Sequence, residues 1–276
     1  MTVGICGLGL IGGSMAKAYK AEGHTVYGYD KDAATLGYAS IASIIDGELN
    51  DETLDKCELI YVALYPVATV KYLEKIAPKL RKDTVVIDLC GTKQLVCEKG
   101  FTLAKNYGFT FVGGHPMAGT QYSGIKYSKA TLFKNAPMVI VPDVYDDIEF
   151  LDSIKKLLAP AGFGKISVTT AKEHDEVIAF TSQLAHVVSN AYVKSPTAKL
   201  HKGFSAGSYK DLTRVAWLNE KMWSELFLEN KNALIFEIET IINSLSEYKD
   251  AIKNEDLVTL TSLLKDGRIA KEEIDG

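Results

Sequence analysis

The chain has 276 residues, of which 47% are hydrophobic and 24% are charged, and its formal net charge is −4. This length allows one or two domains with a sizeable core, and this composition is ordinary for a globular protein. Lysine and arginine are dispersed along a slightly acidic chain, which argues against nucleic acid or an anionic membrane surface as a partner.

Short apolar runs alternate with amphipathic segments through the first 168 residues. The runs predict strands at Val3–Cys6, Thr25–Tyr29, Leu59–Leu64, Thr84–Leu89, Phe109–Val112, Met138–Val141 and Ile166–Val168. The amphipathic segments between most of them predict helices, which is the pattern of βαβ units around a mainly parallel sheet. We therefore predict an α/β domain over residues 1–168.

The first strand is followed at once by a glycine motif, Gly7-x-Gly9-x-x-Gly12. Glycines at this spacing allow a tight turn and let backbone N–H groups approach a pyrophosphate at the start of a helix. We predict that these glycines, with Leu10 and Ile11 in the first helical turn, bind a dinucleotide. The order of strand, turn and helix favours a Rossmann-type domain over a glycine-rich structural turn.

The second predicted strand is followed directly by an acid, Asp30. A carboxylate at this place accepts hydrogen bonds from the adenosine ribose hydroxyls and repels a 2′-phosphate. Asp30 therefore predicts NAD rather than NADP as the cofactor, whereas the neighbouring Lys31 counts in the opposite direction.

After Thr169 the strand pattern stops, and the segment from Lys172 to about Lys194 has helical character. Apolar residues then recur at helical spacing on two later segments: Ile238, Ile241, Ile242 and Leu245, and Leu257, Leu260, Leu263 and Leu264. We predict an all-helical domain over residues 169–276. Its apolar faces are rich for so small a unit, so we expect a homodimer through this domain, with packing on the first domain as the alternative.

The cysteines and apolar runs bear on the compartment. The chain has four cysteines whose spacing matches no metal site, Cys6, Cys57, Cys90 and Cys97. We expect reduced thiols and no bound metal, as in a cytoplasmic protein. The apolar run from about Leu59 to Val70 is too short to cross a bilayer, and the chain enters a predicted strand at once, so we expect no signal peptide.

One histidine follows the predicted strand at Phe109–Val112, in the order Gly113, Gly114, His115 and Pro116. In open α/β sheets, ligands bind beyond the carboxyl ends of the strands. We expect the glycines to clear space for nicotinamide or substrate and the proline to fix the exit direction. A neutral imidazole there can take the proton of an alcohol as hydride leaves the same carbon, although a packing histidine is the alternative.

Five stretches in chain order resemble the prephenate/arogenate dehydrogenase family: GLGLIGGS, GGHPMAG, HDEVIAFTSQLAH, DLTRVA and WSELFLEN. Together they cover nearly the whole chain. The resemblance implies NAD-linked oxidation of a ring alcohol with loss of the ring carboxylate as CO2. The product would be 4-hydroxyphenylpyruvate from prephenate, or tyrosine from arogenate.

The resemblance also implies a substrate site in the helical half. His186 matches the position that lies in the family's substrate pocket, and Ser182 shares its helix face four residues earlier. Arg214 matches the arginine that grips a substrate carboxylate, for which a guanidinium fork is suited. Lys210 is a candidate second cation. The alternatives are an interfacial His186 and a structural salt bridge from Arg214 to Asp211.

Several positions depart from the family pattern. Gly91, expected beside the cofactor, stands where many members have a serine that touches the catalytic histidine, and water or Thr92 is the candidate replacement. Thr120 and Gln121, both expected near the substrate, follow the HPMAG stretch where many members carry an acid. Loss of that acid favours prephenate, which has no ammonium group to pair.

Further departures lie in the HDEVIAFTSQLAH stretch. Gln183 and Ala185 replace a histidine and a proline of the family motif, which leaves the choice of substrate open. We expect His174 and Asp175 to begin a helix or to tie the two domains together.

These observations predict an NAD-dependent prephenate dehydrogenase of tyrosine biosynthesis. Arogenate dehydrogenase is the alternative, and a non-catalytic NAD-sensing protein is the alternative from another class. A β-hydroxyacid dehydrogenase shares the layout but uses a K-x-x-x-N motif, which is missing after residue 168. We expect His115 to be the catalytic base.

Overall fold

The computed structural model describes residues 1–120 and 122–275. Eight strands form one sheet: β1 (Thr2–Cys6), β2 (Thr25–Tyr29), β3 (Gly47–Glu48), β4 (Leu59–Val62), β5 (Val85–Asp88), β6 (Thr110–Pro116), β7 (Pro137–Val141) and β8 (Lys165–Val168). Their order is β3-β2-β1-β4-β5-β6-β7-β8, and every neighbouring pair is parallel except β6 with β7. The prediction of a mainly parallel α/β sheet is confirmed.

Helices cover both faces of this sheet, which explains why its central strands are apolar throughout. The helices of this half are α1 (Leu10–Ala21), α2 (Ala33–Ile41), α3 (Asp51–Leu54), α4 (Pro66–Ile76), α5 (Gln94–Tyr107) and α6 (Ile148–Leu158). One buried apolar cluster joins the sheet to α1 and α6, and a second joins it to α4 and α5. The sheet therefore holds the carboxyl ends of its strands rigidly at one edge.

Two strands differ from the sequence-based prediction. β3 was not predicted, because two residues are too few to show an alternating pattern. β6 is longer than predicted: its parallel pairing with β5 ends at Val112, and from Gly113 to Pro116 it pairs antiparallel with β7. His115 therefore lies within the last part of the strand, opposite Val139, rather than just past its end.

The described residues after Val168 form helices and turns without a strand. The helices are α7 (Ala171–Ile178), α8 (Ala185–Tyr192), α9 (Gly207–Thr213), α10 (Glu220–Glu229), α11 (Lys231–Lys253) and α12 (Leu257–Asp275). Thr170 caps α7 in a reciprocal capping box with Glu173. A π-helical segment, Ala179–Leu184, joins α7 to α8. The helical second half is confirmed, and the boundary at residue 168 stays a prediction.

Long helices of the second half carry exposed apolar side chains. Phe236, Ile242 and Leu245 on α11 are 65%, 53% and 60% exposed, and Leu264 on α12 is 60% exposed. Such a surface is unusual for a monomer. Among the described residues, no helix is both long enough and apolar enough to span a bilayer.

Candidate active site

The glycine motif forms a tight turn at the carboxyl end of β1. Gly7 has a φ of +87°, and a Cβ there would lie 2.4 Å from the Ala63 carbonyl oxygen. A Cβ on Gly12 would lie 1.8 Å from the Gly7 carbonyl oxygen, so both positions require glycine. The corresponding space at Gly9 holds no protein atom within 4 Å. The backbone is therefore open to a ligand at the one glycine that internal packing does not require.

This turn leads into a helix whose first N–H groups have no side-chain cap. Gly9 is the N-cap of α1 and supplies no side-chain hydrogen bond to the N–H groups that begin with Leu10 and Ile11. Such N–H groups and the helix dipole form a site for phosphate. Together with the open space at Gly9, this arrangement fits the pyrophosphate of a dinucleotide.

Asp30 lies beyond the end of β2, next to the same turn. Its Oδ2 accepts a hydrogen bond from Leu8 N at 2.8 Å, and its Oδ1 accepts one from Asp32 N at 2.9 Å. A carboxylate has lone pairs for further donors, so Asp30 keeps capacity for the hydroxyls of a ribose. The backbone contacts fix the carboxylate beside the glycine turn, where the sequence predicts it.

The two glycines before His115 serve packing within the protein. A Cβ on Gly113 would lie 2.5 Å from Cys97 Sγ, and a Cβ on Gly114 would lie 2.5 Å from the Asp88 carbonyl oxygen. The expectation that they clear space for nicotinamide or substrate is therefore wrong. They allow β6 to pass close to β5 and α5, and this close approach sets the position of His115.

A buried ion pair holds the backbone next to His115. Lys93 Nζ donates to Asp88 Oδ2 and, at 2.6 Å, to the Gly114 carbonyl oxygen, while Gly114 N donates to Asp88 Oδ1 at 3.2 Å. Both charged side chains are fully buried. Burial opposes the charge of Lys93, but Asp88 raises the pKa of the ammonium. Removing one partner would strand a buried charge, at a cost of about 3–5 kcal/mol.

The His115 ring contacts residues of the helical domain. His115 Nδ1 lies 2.9 Å from His174 Nε2, and His174 Nδ1 lies 2.7 Å from Asp175 Oδ1. Burial, His174 and Lys93 hold the pKa of His115 well below its ordinary value of 6.5. His115 is therefore neutral at physiological pH, as a proton acceptor must be.

Asp175 also joins the two domains. Its Oδ1 accepts a hydrogen bond from Lys93 N at 2.7 Å, and its Oδ2 accepts one from Gln94 N at 2.9 Å. Gln94 N is the first N–H group of α5, and Lys93 is the N-cap residue, which supplies no side-chain cap. Asp175 thus caps a helix of the other domain. Of the two roles expected for His174 and Asp175, tying the domains is the one the structure has, since α7 begins at Ala171.

A separate cavity of about 320 Å³ gathers the predicted substrate residues of the helical half. Ser182, His186 and Arg214 all line it, together with Asp211. No salt bridge holds Arg214 among the described residues, so the alternative of a pair with Asp211 is not met. The cavity therefore presents a hydroxyl, an imidazole and a guanidinium that forms no salt bridge within the described part of the chain.

His186 is fixed in one orientation within this cavity. Its Nδ1 lies 2.8 Å from the Val215 carbonyl oxygen, and its ring packs on Trp223 with centroids 3.9 Å apart. A carbonyl oxygen can only accept, so Nδ1 carries the proton and Nε2 is the group left for a ligand. Burial and the nearby Arg214 lower the pKa of His186.

The remaining predicted substrate residues are Lys210, Thr120 and Gln121. Among the described residues that line the cavity, neither Lys210 nor His115 is found, and Lys210 is exposed on α9. Thr120 is exposed and exchanges hydrogen bonds with the backbone of Tyr122 at 3.1 and 3.2 Å. Gln121 lies outside the described residues.

The residues that depart from the family motif contact other residues of the protein. Thr92 donates its hydroxyl to Glu229 Oε2 at 2.8 Å, so it does not replace the missing serine hydroxyl. A Cβ on Gly91 would lie 3.4 Å from Leu226, which is ordinary contact. Gln183 is buried and bonded to Asn230 and to the Leu226 carbonyl oxygen. It therefore supports the packing of α10 and does not line the cavity described above.

Sequence reasoning assigned no chemical role to Asp88, Lys93, His174 or Asp175. The sequence contained one indication of a buried ion pair, which is charge within apolar surroundings. Asp88 ends a buried strand, and Lys93 follows five residues later. Charged residues are almost never fully buried unless they are paired. Their pairing, and the contact of His174 with a residue 59 positions away, depend on the fold.

Models of a known family match both halves of the chain. The nucleotide-binding domain of prephenate dehydrogenase matches residues 15–167, and the prephenate dehydrogenase dimerization domain matches residues 170–266.

Individual relatives agree with these matches. A cyclohexadienyl dehydrogenase of Zymomonas mobilis is 30% identical and covers 98% of this chain and 94% of its own length. The crystal structure of prephenate dehydrogenase from A. aeolicus in complex with hydroxyphenyl propionate and NAD+ is 30% identical, with a TM-score of 0.84 over 100% of this chain and 98% of that chain. The structure of a Synechocystis arogenate dehydrogenase is 28% identical, with a TM-score of 0.81 over 99% of each chain.

Proposed function

This chain belongs to the prephenate dehydrogenase family, and from that membership we propose that it catalyses the NAD-dependent oxidative decarboxylation of prephenate to 4-hydroxyphenylpyruvate. The observation that carries the proposal is the state of His115. This imidazole is neutral, it is fixed at the end of a sheet strand, and its Nδ1 is already hydrogen-bonded to His174. Its Nε2 is therefore the ring nitrogen left for the substrate hydroxyl, and a neutral imidazole can take the proton that oxidation of an alcohol releases.

The residues of the first domain bind the cofactor and hold the base. Gly7, Gly9 and Gly12 form the turn that receives the pyrophosphate, and Asp30 receives the ribose. NAD, when bound, supplies the acceptor for a hydride. His115 takes the proton of the substrate hydroxyl at Nε2, and its low pKa keeps that nitrogen unprotonated before the reaction.

The residues of the second domain orient the substrate. The Arg214 guanidinium in the cavity, which has no salt bridge among the described residues, suits a substrate carboxylate, and Ser182 and His186 Nε2 provide further polar contacts. Once the hydroxyl carbon is oxidised, loss of CO2 makes the ring aromatic, so the protein need only hold the substrate in position. Lys210 and Thr120, both exposed, complete the proposed set of substrate residues.

Prephenate is the proposed substrate because Gln121 replaces an acid that could pair with an ammonium group. Arogenate is the alternative, since one relative is named a cyclohexadienyl dehydrogenase and one structural neighbour an arogenate dehydrogenase. The test is a side-by-side assay of both substrates with NAD and with NADP. We expect prephenate with NAD to give the largest kcat/KM, and a preference for NADP would contradict the role of Asp30.

An NAD-sensing protein without turnover is the candidate from another class. The same assay separates it from the enzyme, because a sensor would bind NAD and produce no NADH absorbance with either substrate. The neutral, oriented His115 favours the enzyme, since a sensor needs no base.

The enzyme is proposed to act as a homodimer in tyrosine biosynthesis, in the cytoplasm. The exposed apolar side chains of α11 and α12 support the dimer, as does the match to a dimerization domain. An isologous interface through the side of α11 that carries Ile242 and Leu245 would bury both residues.

A further inference from the structure

The ring of His115 contacts a buried ring, that of His174, which the proposed reaction does not use. The contacts form one row, from His115 Nδ1 to His174 Nε2 at 2.9 Å and from His174 Nδ1 to Asp175 Oδ1 at 2.7 Å. His174 and Asp175 are 3% and 2% exposed, so water does not compete for these hydrogen bonds.

The acid at the end of the row determines the direction of each hydrogen bond. Burial opposes ionisation of Asp175, but hydrogen bonds from His174 and from Gln94 N lower its pKa, so it is a carboxylate and accepts only. His174 must then donate from Nδ1, which leaves its Nε2 as an acceptor. His115 in turn must donate from Nδ1, which leaves its Nε2 without a proton.

We propose that His174 and Asp175 are positioning residues that fix His115 in the tautomer whose Nε2 is free to accept a proton. This role rests on the proposed function, in which His115 is the base. The protein has a reason to fix the tautomer, because a free histidine side chain favours a proton on Nε2, and an Nε2–H cannot act as a base.

The row is held rigidly at its far end. Asp175 accepts hydrogen bonds from Lys93 N at 2.7 Å and Gln94 N at 2.9 Å, and its backbone carbonyl accepts one from Asn230 Nδ2 at 2.7 Å. With its carboxylate fixed by main-chain donors, Asp175 cannot turn away from His174. The direction of the hydrogen bonds therefore does not depend on a mobile group.

The direct test is the position of the proton on His115. The chain has five histidines, so long-range ¹H–¹⁵N spectra of the full-length protein labelled on its histidine rings are simple. Loss of a signal in the His115→Gln variant identifies the His115 ring. We expect its proton on Nδ1 in the unchanged protein, and on Nε2 in His174→Leu, where the acceptor is missing.

A conservative variant separates positioning from packing. In His174→Gln the amide nitrogen donates to the Asp175 carboxylate, so the amide oxygen faces His115 and the tautomer is kept. We expect His174→Leu to lower kcat by about tenfold to a hundredfold, with little change in the KM for NAD, and His174→Gln to stay within about threefold of the unchanged protein. His24→Gln makes the same chemical change outside the site and should leave kcat unchanged.

Two results would overturn the proposal: a proton on His115 Nε2 in the unchanged protein, or an unaltered His115 tautomer in His174→Leu. If His174→Leu does not fold, the spectra of the unchanged protein and of His174→Gln still show which ring nitrogen of His115 carries the proton. The expected tautomer in a protein that oxidises neither prephenate nor arogenate would support the row of hydrogen bonds and reject the proposed function.

Discussion

The two halves of the proposed site differ in how completely one chain builds them. On the sheet side, Asp88 and Lys93 are fully buried and paired, and they hold Gly114 by both its N–H and its carbonyl group. On the helical side, Arg214 is exposed and makes no salt bridge among the described residues. The proposed base is therefore preorganised within the chain, whereas the proposed substrate side is open.

This difference follows from what each half must bury. The sheet is covered by helices on both faces, so its polar groups must be satisfied internally. The helical half leaves large apolar residues exposed, including Phe236 and Leu245 on α11. We therefore expect single substitutions near β6 to change the activity of the proposed base. We expect substrate binding on the helical side to depend on the partner subunit that would cover those helices.

The strongest test of the sheet side is the loss of the base. We expect His115→Ala to lower kcat by more than about a hundredfold while NAD binding is kept, because no other group takes the hydroxyl proton. Steady-state kinetics with prephenate and NAD measures the effect. His24→Ala, which removes a histidine from a distant turn, is the matched control, and a near-normal rate for His115→Ala would remove this residue from the role of base.

Removing the cation tests the helical side. We expect Arg214→Ala to raise the KM for prephenate at least about tenfold, and the KM for NAD by less than about twofold, because one charged hydrogen bond to the substrate is lost. Arg268→Ala removes an arginine that pairs with Glu272 on α12 and should change neither constant. An equal rise of both KM values would make Arg214 a structural residue.

The exposed face of α11 allows the open half to be tested as an interface. We expect Leu245→Asp to convert a dimer to a monomer, because a charge at a 60% exposed leucine would be buried against the partner. Light scattering after size-exclusion chromatography measures the mass. Ser244→Asp adds the same charge one position away and should leave the mass unchanged; a monomeric unchanged protein would reject the proposed dimer.

A smaller effect is expected at the boundary between the halves. Burial raises the pKa of Glu229, whose Oε1 is buried without a hydrogen bond among the described residues. The folded state therefore loses stability relative to the unfolded chain as pH rises above the ordinary value of 4.5. Glu229→Gln should raise Tm by about 2 °C at pH 7 and have no effect at pH 4. Glu74→Gln, on exposed α4, should change Tm at neither pH.

The fold was largely predictable because patterns within short segments of the sequence indicate its strands and helices. Apolar runs and a glycine turn specify βαβ units whether or not the rest of the chain is known, and helical spacing specified the second half. What local patterns did not contain is the partner of each segment. The extension of β6 past Val112 depends on antiparallel pairing with Pro137–Val141, and nothing within Phe109–Val112 indicates that partner.

The site was predictable only as far as its motifs reached. His186, Ser182 and Arg214, which the family resemblance assigned to the substrate, line one cavity, and their role there stays a prediction. The row from His115 through His174 was not predicted, because a hydrogen bond between two rings depends on how the domains dock. Gly113 and Gly114 were assigned to ligand access, although neighbouring Cys97 and Asp88 fill that space.

Asp175 links the contact between the two domains to the protonation state of the proposed site. It belongs to the helical half, yet it caps α5 of the sheet half with the same carboxylate that receives the His174 proton. A hinge motion that parted the domains would expose two backbone amides and release the anion from the row. The contacts of this one side chain therefore oppose separation of the two halves.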